Sequence, residues 1–300
     1  MLCALPSFIL MPISFLLFCL NLAFFGSLIF LGGLIKFLIP LKFIHRALYR
    51  PMHFLYRVWA LMNYLLMLLF NDIKWTITGD KNLNKQSWYL LIANHQSWLD
   101  IFILSNFCRT RIPEPKYFLK ESLKRVPFIG MGCWALDMPF MKRYSKSFLK
   151  KNPHLIGTDI ETTKRSCKKF KHQPTTIINF VEGTRFTQEK QSKQQAFQHL
   201  LTPKAGGIAF TLATMGEQFN KILNITLAYP QNPGHIMKDM LKGKLKEIVI
   251  DVEQIENVSD LCGDYSNDIN YKKEFHRWLT NLWQNNDTKL SRYLINKLNQ

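Results

Sequence analysis

"WYLLIANHQSWLD", residues 88–100, passes from an uncharged, largely apolar run into a cluster of polar side chains within a few positions. Trp88 to Ala93 is too short for an ordinary helix and suits a strand buried on both faces of a sheet. Ser97 can cap a helix running from about Trp98 to Phe107. A buried strand that turns at once into a helix is the repeating unit of an α/β fold. His95 falls in that turn, where ligand sites form in such sheets. Its imidazole can take up a proton near neutral pH, and Asp100 can fold back from the first helical turn to accept the other ring N–H. On these residues alone a structural histidine at the end of a strand is the simpler reading.

The chain on either side repeats the pattern. Ile73–Thr78, Thr175–Val181, Ile222–Tyr229 and Leu245–Val252 read as strands. Asp159–Lys171, Ile208–Glu217 and Tyr271–Leu294 read as helices. Alternating strands and helices predict one α/β domain. The expected division is a membrane-binding head at 1–72, a catalytic domain at 73–255 and a C-terminal helical extension at 256–300.

The head differs sharply in composition. Residues 1–35 carry no charge, and Ser7–Ile35 exceeds the roughly 20 apolar residues needed to cross a bilayer. It has no basic start and is too long for a cleaved signal peptide, so a retained anchor is expected, with a buried helical hairpin as the alternative. Lys36, Lys42, Arg46, Arg50 and Arg57 follow with no acidic residue before Asp72. Positions 42, 46 and 50 share one helical face, which would meet anionic headgroups on the cytoplasmic side. Val58–Asn71 is apolar but only about 20 Å long as a helix, so it is expected to lie in the interface. If it crossed instead, the rest of the chain would stand on the opposite side. The expected location is a bacterial inner membrane, with the catalytic domain in the cytoplasm.

The charge balance narrows the partners. Lys and Arg number 39 against 21 Asp and Glu, a formal charge of +18, which calls for an anionic partner. With 47% hydrophobic and 13% aromatic residues the charge sits on a folded body rather than a basic tail. The cysteines at 3, 19, 108, 133, 167 and 262 form no CxxC and no zinc-finger spacing, which argues against a disulfide framework or a structural zinc. A nucleic-acid binder would explain the charge but not the anchor, and no recognised DNA- or RNA-binding motif is present. A non-enzymatic membrane scaffold would have no need of His95 and Asp100 together.

Three further stretches hold candidate residues. "NFVEGTRF" (179–186) ends a strand with Glu182, Gly183, Thr184 and Arg185, and Arg offers a planar fork for phosphate. Glu182 could accept from a hydroxyl or hold Arg185. "MPFMKRYSK" (138–146) gathers Lys142, Arg143 and Lys146. "TPKAGGIAF" (202–210) sets Lys204 and a Gly-Gly pair at a helix start, where backbone N–H groups favour anions. Each alone reads equally as a solvated turn or charge cluster.

Taken together, N-H-x4-D at 94–100 followed by F-V-E-G-T-R at 180–185 resembles the glycerolipid acyltransferase family, which includes the 1-acyl-glycerol-3-phosphate acyltransferases. The likeness runs over roughly residues 73–235, and "KYFLKESLKRVPFIG" (116–130) and "MPFMKR" fall where that family has its second motif. The resemblance implies a central mixed sheet with flanking helices, behind a transmembrane and an interfacial helix. It makes His95 the general base and Asp100 its orienting partner. Arg143, Glu182, Gly183, Thr184, Arg185 and Lys204, with Gly206 beside it, become binders of the acceptor. The implied substrates are a lysophospholipid and an acyl thioester, either acyl-CoA or acyl carrier protein, with no further cofactor and no metal. The family's fourth motif starts a strand with proline. Here "ILNITLAYP" (222–230) has Asn224 in that place, so its acyl-donor contacts do not carry over.

Overall fold

The computed structural model describes residues 5–141, 151–152, 158–170 and 173–295. Its centre is a six-stranded sheet in the order β1 (Lys74–Thr78), β8 (Glu247–Ile255), β7 (Lys221–Ala228), β2 (Tyr89–Ala93), β6 (Thr176–Phe180), β3 (Pro115–Tyr117). All neighbours run parallel except β7 and β8, so the sheet is mixed. β2 lies near the middle and every one of its residues is buried, as its uncharged run requires. A separate pair, β4 (Leu119–Lys120) with β5 (Phe140–Met141), lies in the region of the second motif.

Side chains alternate across the pleat and divide the core in two. Leu91 and Ala93 point into a core shared with α3 (Leu99–Arg111) and the N-terminal helices, while Leu90 and Ile92 point into a second core. That second core is closed by α5 (Thr158–Phe170), α7 (Ala205–Met215) and α9 (Ile269–Ile295), through Cys167, Leu212 and the buried Trp283. The helix expected in the 256–300 extension is thus a covering layer of the sheet.

The head departs from expectation. α1 spans Ser7–Leu38, and α2 runs unbroken over Lys42–Phe70 with Pro51 inside it. The basic run and the following apolar stretch, read as two units, form one helix. Both helices are long and apolar enough to cross a membrane, by length and composition. They pack together as a hairpin, and the hairpin packs on α3, on α4 (Ile129–Ala135) and on α8 (Ile236–Leu241). Phe18, Ile29, Met52 and Met67 share their core with Leu99 and Leu223. The opposite side of α1 leaves Phe8, Phe15, Leu16, Leu20 and Phe24 exposed, an apolar surface of the kind that meets lipid or a partner.

Close packing along this seam rests on small residues. A Cβ on Gly33 would stand 2.4 Å from that of Ala135, and Gly26 lies against Phe128. Polar groups pin the ends. Lys36 Nζ donates to the Ala135 carbonyl at 2.9 Å and to Asp137 at 2.8 Å, and Ser14 Oγ donates to the Leu241 carbonyl at 2.7 Å. Between hairpin and sheet, Lys116 is buried with Nζ 2.6 Å from the Leu136 carbonyl, and burial pushes its ammonium down to about 8. Arg57 pairs with Glu114 at 3.0 Å beside it.

Gly33→Val should therefore force the hairpin off α4 and cost about 1–3 kcal/mol, whereas Leu16→Val on the exposed side should be nearly neutral. Thermal unfolding of the two variants in the same detergent checks this; equal midpoints would contradict the seam.

Candidate active site

Strand register brings distant residues together. Ala93 on β2 is level with Phe180 on the parallel β6 and with Ile225 on β7. The residues just past the carboxyl ends of β2 and β6 must then be neighbours, and the His95 amide indeed faces Glu182 Oε1 at 3.4 Å. Asn94, fully buried, closes the other side: its Nδ2 donates to the Leu227 carbonyl at 2.9 Å, and its Oδ1 accepts from the Leu227 amide at 2.8 Å. The turn holding His95 is stitched to both neighbouring strands.

Asp100 lies on the first turn of α3 and is wholly buried. Its Oδ2 accepts from His95 Nδ1 at 2.8 Å, Gln96 N at 2.7 Å and Ser97 N at 2.9 Å, and its Oδ1 accepts from the Tyr229 hydroxyl at 2.5 Å. The helix starts one residue later than expected. Ser97 Oγ accepts from Leu99 N at 3.2 Å, while the Asp100 carboxylate covers the turn before it. Burial and the adjacent carboxylate push the Tyr229 hydroxyl well above its usual range, so it stays a donor. With Nδ1 donating to Asp100, the tautomer assigned from these partners leaves Nε2 as the acceptor. The ring also stacks on Phe180, centroids 4.0 Å apart and planes 15° from parallel. The imidazole is thus held in one plane with its basic nitrogen away from the carboxylate, and its side chain keeps 13% of its surface exposed.

The 182–185 turn divides its side chains between inside and outside. Glu182 is 1% exposed and faces backbone amides of His95 and Leu201. Burial raises its carboxyl well above the usual range, more than those amides lower it. Through these amides it supports the turn from beneath, while its Oε2 has no hydrogen-bond partner among the described residues. Gly183 takes φ +69° and turns the chain outward. Thr184 Oγ1 and the Arg185 carbonyl accept from Lys190 Nζ at 2.8 and 2.9 Å. Arg185 is exposed, its guanidinium 4.7 Å above the Trp98 ring, which holds it beside the His95 turn. Lys204 is the residue before α7, and its amide donates to the Val181 carbonyl at 2.7 Å, which fixes the helix start beside the same turn; Gly206, two residues on, lies near Phe210. Arg143 lies outside the described residues.

The fold thus assembles His95, Asp100, Glu182, Gly183, Thr184, Arg185 and Lys204 in one place. Tyr229, Phe180 and Asn94 were not singled out as working residues by their sequence context. Tyr229 follows an apolar strand directly, and a hydroxyl there was the only signal. A cleft of about 800 Å³, lined by Lys164, Phe210, Cys262 and Tyr265 among others, contains none of these residues. That hollow is separate from the strand ends that hold His95 and Asp100. An imidazole backed by a buried carboxylate and bordered by exposed cations can remove a proton from a group delivered beside an anion.

Known proteins resemble this chain in sequence and in fold. The family model described as Acyltransferase matches residues 74–225. Lysocardiolipin acyltransferase 1 of Gallus gallus is 27% identical over 292 residues, 90% of this chain and 70% of that protein. The 1-acyl-sn-glycerol-3-phosphate acyltransferase of Saccharomyces cerevisiae is 36% identical over 114 residues, 38% of this chain and 32% of that one. Among solved structures, PlsC, the 1-acyl-sn-glycerophosphate (LPA) acyltransferase of Thermotoga maritima, superposes with a TM-score of 0.56 over 92% of this chain and 95% of that one. At 15% identity, that likeness concerns the fold.

Two substitutions test the site's construction. A carboxyl raised by burial favours folding fully below its unfolded value and loses that contribution as pH rises through the folded value. Glu182→Gln should therefore raise the melting temperature by a few degrees at pH 8 and leave it little changed at pH 4; the reverse order would refute a strained buried carboxylate. Tyr229→Phe removes one donor from Asp100 and should cost about 1.5–3 kcal/mol of stability, measured by denaturant unfolding.

Proposed function

The chain belongs to the Acyltransferase family, and we propose that it moves a fatty acyl group from an acyl thioester to the free hydroxyl of a lysophospholipid, most simply 1-acyl-glycerol 3-phosphate. The observation that carries the reading is the His95–Asp100 contact at 2.8 Å. His95 Nε2 takes the hydroxyl proton as that oxygen attacks the thioester carbonyl. The tetrahedral adduct collapses by expelling the thiolate, which recovers the proton from the imidazolium. One C–O bond forms, one C–S bond breaks, and His95 returns to its starting state. Asp100 stabilises the imidazolium between the two transfers, and a base so placed contributes about 10²–10⁴-fold.

Arg185 and Lys204, with Arg143 as the third expected member, supply positive charge for the acceptor phosphate. A phosphate monoester carries roughly 1.5–2 negative charges at neutral pH, which favours lysophosphatidate over singly charged diesters at a site with more than one cation. A second reading has its own support: the relative aligned over 90% of the chain is named a lysocardiolipin acyltransferase, which favours a diester acceptor. The donor is acyl-CoA or acyl carrier protein. The acceptor resides in a bilayer, and the exposed apolar side of α1 would bring the site to it. Lys42, Arg46 and Arg50, exposed on α2, favour the cytoplasmic leaflet.

Purified protein supplied with labelled acyl-CoA should acylate lysophosphatidate in preference to lysocardiolipin, lysophosphatidylglycerol and lysophosphatidylinositol. His95→Ala should lose at least about 10²-fold of that activity while remaining folded and membrane-bound, with a stability loss no larger than that of Tyr229→Phe because it too removes one donor from Asp100. Wild-type turnover in the variant would remove His95 as the base, and transfer to none of the acceptors would remove the function.

A further inference from the structure

α9 begins well beyond residue 225, where the family match ends, yet it reaches back to the site through one loop. The chain between α6 (Gln188–Gln194) and α7 has no regular structure over most of its length. It nevertheless has to return Lys204 to within a hydrogen bond of Val181. A loop of this kind holds its shape only where its own backbone groups find fixed partners. Asp287 of α9, 5% exposed, provides two: its Oδ2 accepts from Gln198 N at 2.9 Å and its Oδ1 from His199 N at 2.7 Å. One turn earlier on the same face, Trp283 Nε1 donates to the Leu201 carbonyl at 3.1 Å. The Leu201 amide in turn faces the Glu182 carboxyl, and three residues on, Lys204 N closes onto Val181.

We infer that Asp287 and Trp283 are positioning residues for the acceptor phosphate: they fix loop 197–203, and through it the spacing between Lys204 at the start of α7 and the Glu182–Arg185 turn. A carboxylate with both oxygens committed to adjacent backbone amides holds a loop more rigidly than hydrophobic burial does, because it sets direction as well as depth. Phe197, Leu200 and Leu201 are buried in the second core, so the loop's depth does not depend on Asp287. Its register against α9 does. The His95 amide meets the same Glu182 carboxyl, but the imidazole itself is fixed by Asp100, which is held by the turn before α3 and by Tyr229, so the effect falls on acceptor binding and leaves the base in place.

This inference rests on the proposed acyl transfer to a phosphate-bearing acceptor, and the test separates the two. Full-length wild type, Asp287→Asn and Asp287→Ala are assayed in mixed micelles with 1-oleoyl-glycerol 3-phosphate and palmitoyl-CoA. Asp287→Ala should raise the acceptor KM about tenfold, with donor KM and kcat within about twofold of wild type. Asp287→Asn keeps one acceptor oxygen and should fall between them. An unchanged acceptor KM, or an equal fall in apparent kcat with both KM values constant, would make Asp287 merely structural and overturn the inference. If Asp287→Ala does not fold, Trp283→Phe keeps an aromatic side chain but loses the donor and part of the buried indole's bulk; the same acceptor KM shift is expected, and none would overturn it. Hydrogen exchange gives a readout that needs no activity. Faster exchange in Asp287→Ala should extend from 197–203 into 181–186, and confinement to 197–203 would refute the coupling. A wild type that acylates nothing would remove the function, while the exchange result would still decide the linkage.

Discussion

A carboxylate removed from water must find a hydrogen-bond donor for each exposed direction or lose its charge, and this demand organises the centre of the molecule. Asp100 meets it with donors from the His95–Ser97 turn and from Tyr229 at the end of β7. Satisfying it fixes the tilt of α3 against β2 and the path of the turn between them. It also fixes the residue that ends the next strand over. The imidazole plane is then a consequence: once the carboxylate is placed, Nδ1 has one partner, and Phe180 closes the face of the ring.

The sheet explains why the demand can be met. β2 is flanked by parallel partners on both sides, so three strand ends converge at one edge, and a residue from each reaches Asp100 or His95. β8 enters antiparallel beside β7, with Val249 level with Ala228 at the β7 carboxyl end, and carries the chain back toward α9. Asn224, in the place where a proline was expected, is used internally: it exchanges hydrogen bonds with Asn286 at 2.8 and 2.9 Å, tying β7 to α9. A proline there would have had no side chain for this purpose.

What the sequence disclosed follows the range of the interactions involved. Strands and helices with their own hydrophobic period were legible, as was His95 with Asp100, because five positions suffice to bring them together. β3, β4 and β5 span two or three residues each, too few to show a period. α2 was hidden by its own composition: the change from basic to apolar, with Pro51 inside, resembles a boundary, and packing on α1 and α3 carries the helix through it. Tyr229 meets Asp100 across 129 positions, a contact that only the sheet order creates. The inward turn of Glu182 was likewise invisible, since a carboxylate beside arginine on paper suggests an ion pair, and the buried amide of His95 wins instead.

The glycine-lined seam between α1 and α4 has one more consequence. A helix that only tethers a domain can be exchanged for any apolar segment of suitable length. This one presents Gly33 to Ala135 at a distance where a side chain would overlap it and Gly26 to Phe128 where one would be tightly squeezed, and its removal would lay bare part of the core beneath α3. Head and body are therefore inherited as a unit. A lineage that altered the bulk of one surface would have to alter the other, so substitutions at 26 and 33 should covary with those at 128 and 135.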